Sequence, residues 1–295
     1  MNDIFLNYRD YNYINALIFN NLYRLPQDVD AVVGIPRSGM LTAAMIAEFR
    51  SLPMTDIFSF VSGIETSFIN SKGSLSKQFD NNKVKHILLV DDTVGTGDTV
   101  KNAVNLIKSK FKHMEITTFC VFVEPVSKDM VDIYCEEMEY QFTPYSILKR
   151  AARYACVDMD GVLTEEVPPE YDTDDDRYVE FLRNQRPMFI PETKIGAIVT
   201  GRLTKYGDVT KEWLDKHGIE YGNLVMLDLP SKSRRNEINV GEFKGYVYSK
   251  SNSELFIESN LFEAQTIRRY SNKPVFCTQI CNYYNAKSVF QTLSA

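Results

Sequence analysis

Three stretches of this 295-residue chain place polar, chemically capable residues directly after an apolar run. In ILLVDDTVGTGDTV, Ile87 to Val100, the acids Asp91 and Asp92 follow four aliphatic residues. Neighbouring carboxylates can accept hydrogen bonds from the two hydroxyls of a vicinal diol. The residues after them, Thr93, Val94, Gly95, Thr96, Gly97, Asp98 and Thr99, have the composition of a turn whose backbone amides and hydroxyls surround a phosphate, with the positive end of a helix behind it. Acids beside a phosphate cradle suit a sugar phosphate. Upstream, VVGIPRSGM, Val32 to Met40, ends its apolar run in Arg37, Ser38 and Gly39, and a planar guanidinium can grip two phosphate oxygens at once. In ACVDMDGVLTEE, Ala155 to Glu166, the carboxylates of Asp158 and Asp160 stand at i and i+2 and leave the strand toward the same side.

Such groups need a strand that stops beneath them. A continuous apolar run reads as a parallel strand buried on both faces, and ligands of open α/β sheets bind beyond the carboxyl ends of such strands. The pattern Tyr13, Ile14, Leu17, Ile18, Leu22 predicts a helix before the AVVGIP strand. Beyond it, Leu41 to Phe49 and Val100 to Phe111 read as helices, and Asp56 to Val61, Ile87 to Val90 and Ile116 to Val123 as strands. The polar stretch from Ser62 to Lys85 reads as an irregular lid. The alternation restarts with strands at Tyr154 to Asp158, Ile195 to Thr200, Leu224 to Leu227, Leu255 to Ile257 and Pro274 to Cys277. The expected architecture is therefore α/β in two domains, 1–150 and 153–295, each a parallel sheet flanked by helices. The acidic run DTDDD, Asp172 to Asp176, reads as a solvated loop.

Length suits two domains, and 44% hydrophobic with 24% charged residues is ordinary globular composition. A net charge of −6 and a pI near 5.3 argue against nucleic acid as the main partner. The N-terminus lacks a charged-then-apolar leader and no long apolar run appears, so a cytoplasmic protein without an integral membrane segment is expected. The five cysteines are scattered and form no C-x-x-C pair, which fits a reducing compartment.

VDDTVGTGDT, Val90 to Thr99, resembles the 5-phosphoribosyl-1-pyrophosphate (PRPP) motif of the type I phosphoribosyltransferases. The resemblance implies that Asp91 and Asp92 hold the ribose hydroxyls and that the loop from Val94 to Thr99 holds the 5-phosphate. PRSG, Pro36 to Gly39, resembles the pyrophosphate loop of the same family, where backbone amides and one basic side chain hold the leaving group. Magnesium and Arg37 would stabilise charge separation as pyrophosphate departs, and Lys72 and Lys77 of the lid are candidates to reach it. The oxopurine enzymes carry an Asp just before the Thr-Gly; Gly95 stands there in this chain, which weakens a purine-salvage role. The resemblance leaves acceptor recognition to a hood, either the N-terminal helix or Glu124 to Arg150.

DMDGVLT resembles motif I of the haloacid dehalogenase-like phosphatases, and AIVTGR, Ala197 to Arg202, their second motif. By that resemblance Asp158 is the nucleophile toward phosphorus and Asp160 its acid and base. Thr200 binds a phosphoryl oxygen, and Gly201 and Arg202 border the substrate. The lysine that neutralises the phosphoaspartate comes from Lys232, Lys244 or Lys250, with Lys244 favoured. Asp158, Asp160, Glu258 and Glu263 are the expected magnesium ligands, although a glutamate replaces the usual aspartate at the last motif. The segment from Glu165 to Lys194 is too short for a large cap, so the expected second fold is a small-capped Rossmann-like sheet.

The two chemistries fit in sequence: PRPP delivers 5-phosphoribose to an acceptor, and a phosphomonoesterase removes the 5-phosphate. The favoured acceptor is a glycan or lipid-linked glycan, as in assembly of ribofuranose-containing polysaccharide. A nucleobase acceptor with a nucleotidase, or a PRPP-sensing regulator without turnover, are the alternatives. Oligomeric state is left open.

Overall fold

The computed structural model describes residues 8–64, 66–69, 75–79, 83–138, 149 and 151–284. The chain divides into two compact units, Met1–Gln141 and Phe142–Ala295. No described helix is long and apolar enough to cross a membrane.

The first unit is built on strands β1 (Ala31–Gly34), β2 (Met54–Asp56), β5 (His86–Val94), β6 (Glu115–Val123) and β7 (Ile133–Glu137), all parallel in the order β2-β1-β5-β6-β7. Alternate residues of each apolar run enter different cores. Ala31, Val33, Ile87 and Leu89 pack with Ile57, Phe60, Val100, Ala103 and Ile107, while Val32, Leu88 and Val90 pack with Ile14, Ile18, Ala43 and Ile46. The helices α1 (Tyr11–Asn21) and α2 (Gly39–Arg50) thus cover one face, and α3 (Ile57–Ser62) and α4 (Asp98–Lys110) the other. Burial on both faces is why these strands carry no polar alternation.

Three readings of this half are corrected. The expected strand from Asp56 to Val61 ends at Asp56, because that carboxylate accepts from the amides of Phe58 (2.9 Å) and Ser59 (3.0 Å) and starts α3. The stretch expected to be irregular contains an antiparallel pair, β3 (Thr66–Ile69) with β4 (Leu75–Phe79), in register Thr66 to Phe79 and Ile69 to Leu75. Lys72 lies outside the described residues, as does the side chain of Lys77. Strand β5 does not stop at Val90 but runs to Val94, its partners on β6 continuing through Asp91–Cys120, Thr93–Phe122 and Val94–Val123.

The second unit carries β8 (Ala155–Val157), β9 (Ile195–Leu203), β10 (Tyr221–Leu227), β11 (Leu255–Glu258), β12 (Val275–Cys277) and β13 (Asn282–Tyr284) in the order β10-β9-β8-β11-β12-β13. All pairings are parallel except β12 with β13. Its helices are α5 (Asp176–Asn184), α6 (Gly207–Lys216), α7 (Lys232–Asn236), α8 (Val240–Lys250) and α9 (Leu261–Ser271). Tyr248 of α8 and Ala264 and Ile267 of α9 join Cys156, Val199, Phe256 and Val275 in the main core. The two helices approach closely: a Cβ added at Gly245 would lie 2.8 Å from the Cβ of Tyr270. Tyr178 and Leu182 of α5 pack with Tyr206, Val209 and Leu227 in a second cluster.

The run from Asp172 to Asp176 is not simply solvated. Asp172 pairs with Lys232 at 2.8 Å, Asp174 takes Lys205 and the hydroxyl of Tyr206 at 2.6 Å each, and Asp175 caps α5.

Candidate functional sites

In each unit strand order reverses at the first central strand. The chain goes from β1 outward to β2 and then to the other side at β5; it goes from β8 to β9 and later to the other side at β11. The carboxyl ends at these reversals open crevices, because the flanking connections diverge.

At the first reversal the Arg37 turn meets the acidic strand. Ser38 Oγ donates to Asp92 Oδ1 at 2.8 Å. Gly39 makes this approach sterically feasible: a Cβ there would lie 2.9 Å from both Asp91 Oδ1 and Val90 O and 3.0 Å from Asp91 Cα. Arg37 is exposed in the same turn. Asp91 is buried, and desolvation together with the Asp92 charge beside it pushes its pKa up to about 8. Hydroxyl donors or a cation would therefore be welcome at this pair.

The loop after the acids is braced from behind. Ser127 Oγ donates to the Gly95 carbonyl, the Val94 carbonyl accepts from Glu124 N at 2.9 Å, and Thr96 Oγ1 donates to Asp98 Oδ2 at 2.8 Å. Gly97, at φ 82°, sits against Met130 and starts α4, whose first turn holds Asp98 and Thr99. Val94 is turned into the core, so it shapes the loop without offering a side chain, whereas Thr93 and Gly95 are half-buried and Thr96 is exposed. Glu124, Ser127 and Met130 escaped motif reading because they buttress the loop from distant sequence.

Two expected results follow. Gly39→Ala should separate the turn from the acidic strand and weaken PRPP binding by at least about tenfold, equivalent to about 1.4 kcal/mol, measured calorimetrically. Asp91→Asn should lose PRPP binding yet stabilise the protein at alkaline pH by about 2 kcal/mol. The sign follows from the raised pKa: between the ordinary carboxylate range and about 8 the folded protein holds a proton that the unfolded chain releases, so wild-type stability falls with pH across that window. Thermal melts across pH should show the wild-type decline and a flatter Asn profile.

In the second unit Asp158 follows β8 directly, its amide donating to Ile257 O at 3.0 Å. Lys244 of α8 reaches Asp158 Oδ2 at 2.8 Å, Glu258 Oε2 at 2.8 Å and Glu263 Oε2 at 2.7 Å. Lys232 and Lys250, the other candidates, lie against Asp172 and the Tyr246 ring. Asp158 Oδ1 is buried and has no hydrogen-bond partner. Burial pushes Asp158 well above the usual carboxylate range against the opposing pull of Lys244, and the nearby acids add to the rise. Lys244 goes the other way: burial favours its neutral form, but the three carboxylates win and hold it charged. Thr200 is buried near the end of β9, its Oγ1 accepting from Arg202 N at 3.2 Å. Gly201 and Arg202 line a crevice with Tyr178, Lys232 and Arg235.

Asp160 faces a different partner. The Arg202 guanidinium grips it with two bonds, Nη2 to Oδ1 at 2.6 Å and Nε to Oδ2 at 3.0 Å, and Gln185 Nε2 and Thr164 Oγ1 donate to Oδ1 at 2.9 and 3.2 Å. Burial opposes its ionisation, yet Arg202 outweighs that and holds its carboxyl below the usual range. As arranged it is held ionised with both oxygens occupied, so proton exchange in either direction would require Arg202 to loosen its grip. Gln185, whose Oε1 accepts from Arg202 Nη2 at 2.6 Å and whose backbone carbonyl accepts from Trp213 Nε1 at 2.7 Å, was not legible as a site residue, because it belongs to no motif. Glu166, within the motif I stretch, accepts from Ser259 Oγ at 2.9 Å, and its pKa is raised by burial.

The four carboxylates expected to share magnesium are therefore divided. Glu258 gives Oε1 to the amides of Ser259 (2.9 Å) and Asn260 (3.0 Å) and Oε2 to Lys244, both Asp160 oxygens face Arg202, and Lys244 fills the space between Asp158, Glu258 and Glu263. As arranged, these side chains do not form a four-carboxylate cage for a metal. Among the described residues, the group of acids and histidine with ligand atoms close together is elsewhere, at Asp28, His86 and Glu115.

The first unit is a parallel α/β domain with a polar turn and two acids at its strand ends. Residues 9–149 match the family model described as "Phosphoribosyl transferase domain", and this part of the chain is a type I phosphoribosyltransferase domain. The chain is 31% identical over 93 residues to a transcriptional regulator GfcR of Methanosphaera stadtmanae, covering 32% of this chain and 46% of the relative. A GfcR of Methanococcoides burtonii is 26% identical over 117 residues, 39% of this chain and 55% of the relative. The chain thus spans about half the length of these curated relatives. A purine phosphoribosyltransferase from Pyrococcus horikoshii aligns with a TM-score of 0.36 and 20% identity over 47% of this chain and 92% of its own.

Proposed function

We propose that the chain is a bifunctional enzyme that transfers 5-phosphoribose from PRPP to a glycan or lipid-linked glycan and then removes the 5-phosphate. In the first reaction the bond from the ribose anomeric carbon to pyrophosphate breaks and one to an acceptor oxygen forms, the acceptor proton leaving to solvent. Asp91 and Asp92 orient the ribose diol, the 93–99 loop holds the 5-phosphate, and Arg37 steadies departing pyrophosphate. A magnesium ion bound with the pyrophosphate would supply charge neutralisation at the leaving group, and Asp91 and Asp92 would offer it hard carboxylate oxygens.

In the second reaction Asp158 Oδ1 attacks phosphorus as the bond from phosphorus to the ribosyl oxygen breaks, and that oxygen takes a proton from solvent. Water then hydrolyses the aspartyl phosphate and releases phosphate, its proton passing to Asp160 once Arg202 frees one carboxylate oxygen. Lys244 offsets the anionic charge throughout. This haloacid dehalogenase-like reading of the second unit rests on its motifs and on one observation: Asp158 is buried with one oxygen held by Lys244 and the other bare.

A PRPP-sensing regulator is the second reading, favoured by the names of the curated relatives. Incubating the protein with PRPP, magnesium and lipid-linked glycans while following product mass separates the two. A ribosylated, phosphate-free glycan supports the bifunctional enzyme. PRPP binding without turnover on any acceptor supports sensing, and ribosylation of free nucleobases alone would replace the glycan with a nucleobase.

A further inference from the structure

The amino-terminal edge of the first sheet, opposite the end that carries Asp91 and Asp92, holds a group of side chains with no part in the chemistry above. His86 opens β5 and Glu115 opens β6, and the two are register partners across the parallel ladder. Asp28 lies in the turn before β1. One ligand atom from each of the three falls within 4.8 Å of the others.

His86 makes this more than a cluster of surface acids. The residue is only 4% exposed. Its Nε2 lies 2.9 Å from Thr117 Oγ1, which fixes the ring. Its Nδ1 is 3.2 Å from Asp28 Oδ1 but is out of line for a hydrogen bond, and it is a buried polar atom without a hydrogen-bond partner. In the tautomer with Nε2–H donating to Thr117, the Nδ1 lone pair faces the Asp28 carboxylate, an arrangement that a cation between them makes favourable. Asp30, the nearby alternative, is already committed: its Oδ2 accepts from the amides of Lys85 (2.8 Å) and His86 (3.1 Å).

The geometry points to a binding site for a first-row divalent transition metal of the Zn2+ type, held by His86 Nδ1 and one carboxylate oxygen each from Asp28 and Glu115. An imidazole nitrogen with two carboxylates suits such ions, whereas magnesium and calcium prefer oxygen alone. Thr117 supplies the outer contact that sets the ring's tautomer. The ring is held in the fold while Asp28 and Glu115 are exposed, so the acids can swing onto an ion placed at Nδ1. The site would tie together the starts of three neighbouring segments and act on stability, away from the reacting groups.

The test uses the full chain with Zn2+ as probe and excess Mg2+ to fill all-oxygen sites. Titration against a chromophoric chelator, proton spectra of the three histidine rings and thermal melts are read together. Expected are one saturable equivalent, a Zn2+-dependent shift of His86 with His113 and His217 unmoved, and a rise in Tm. Asp28→Asn and Glu115→Gln, both at exposed positions, should each weaken binding about tenfold or more and remove the rise. Binding that both variants retain would overturn the site. So would a His86 signal that follows pH but ignores Zn2+, since the ring would then simply be protonated against Asp28.

Discussion

Asp158→Asn should leave the first transfer intact and stop the second, so that product accumulates with its phosphate still attached. The change keeps the side chain's shape and its acceptor toward Lys244 but removes the nucleophilic oxygen. Loss of a covalent nucleophile lowers turnover by at least about 10³-fold, the residue of activity coming from binding and the remaining groups. Stability should hold or rise slightly, because burial already pushes the Asp158 carboxyl toward its neutral form. Rapid-quench assays of phosphate release beside mass analysis of the ribosylated product check both halves. Continued release of phosphate at the wild-type rate would remove Asp158 from the mechanism without touching the transfer reaction.

Lys244→Met should have the largest effect on folding. It strands Asp158, Glu258 and Glu263 around a methyl group, and Asp158 and Glu258 are almost wholly buried. Removing one partner of a buried ion cluster costs about 3–5 kcal/mol, which for a unit of this size lowers Tm by about 10–20 °C. The deficit should shrink at acid pH. Burial raises the pKa of both Asp158 and Glu258, and protonation removes the repulsion that the lysine had offset. Adding Glu263→Gln to Lys244→Met should recover part of the loss. Melts of the single and double variants across pH measure it; a pH-independent deficit would assign the loss to packing instead of charge.

The strands were legible because a buried parallel strand must be apolar at every position, as Ala31 to Gly34 and Ile87 to Val90 are. Where the code was local but polar, reading failed: Asp56 looks like any strand residue until its carboxylate is seen capping the next helix. The Asp91–Asp92 pair and the Asp158 strand end were visible as motifs. Their partners were not. Ser127 and Met130 brace a loop some thirty positions upstream, and Arg202 turns onto Asp160, contacts set by tertiary placement that no spacing rule encodes. The partners of the four carboxylates were hidden for the same reason. Sequence shows which acids reach a strand end, but not that a lysine and an arginine arrive there first.

Gly245 follows Lys244 on α8, and its bare backbone lies against Tyr270 and Ile267 of the helix that supplies Glu263. Helix spacing and charge balance in this unit are consequently one quantity. A side chain larger than glycine at 245 would push the two helices apart and lengthen the ammonium's reach to its third acid.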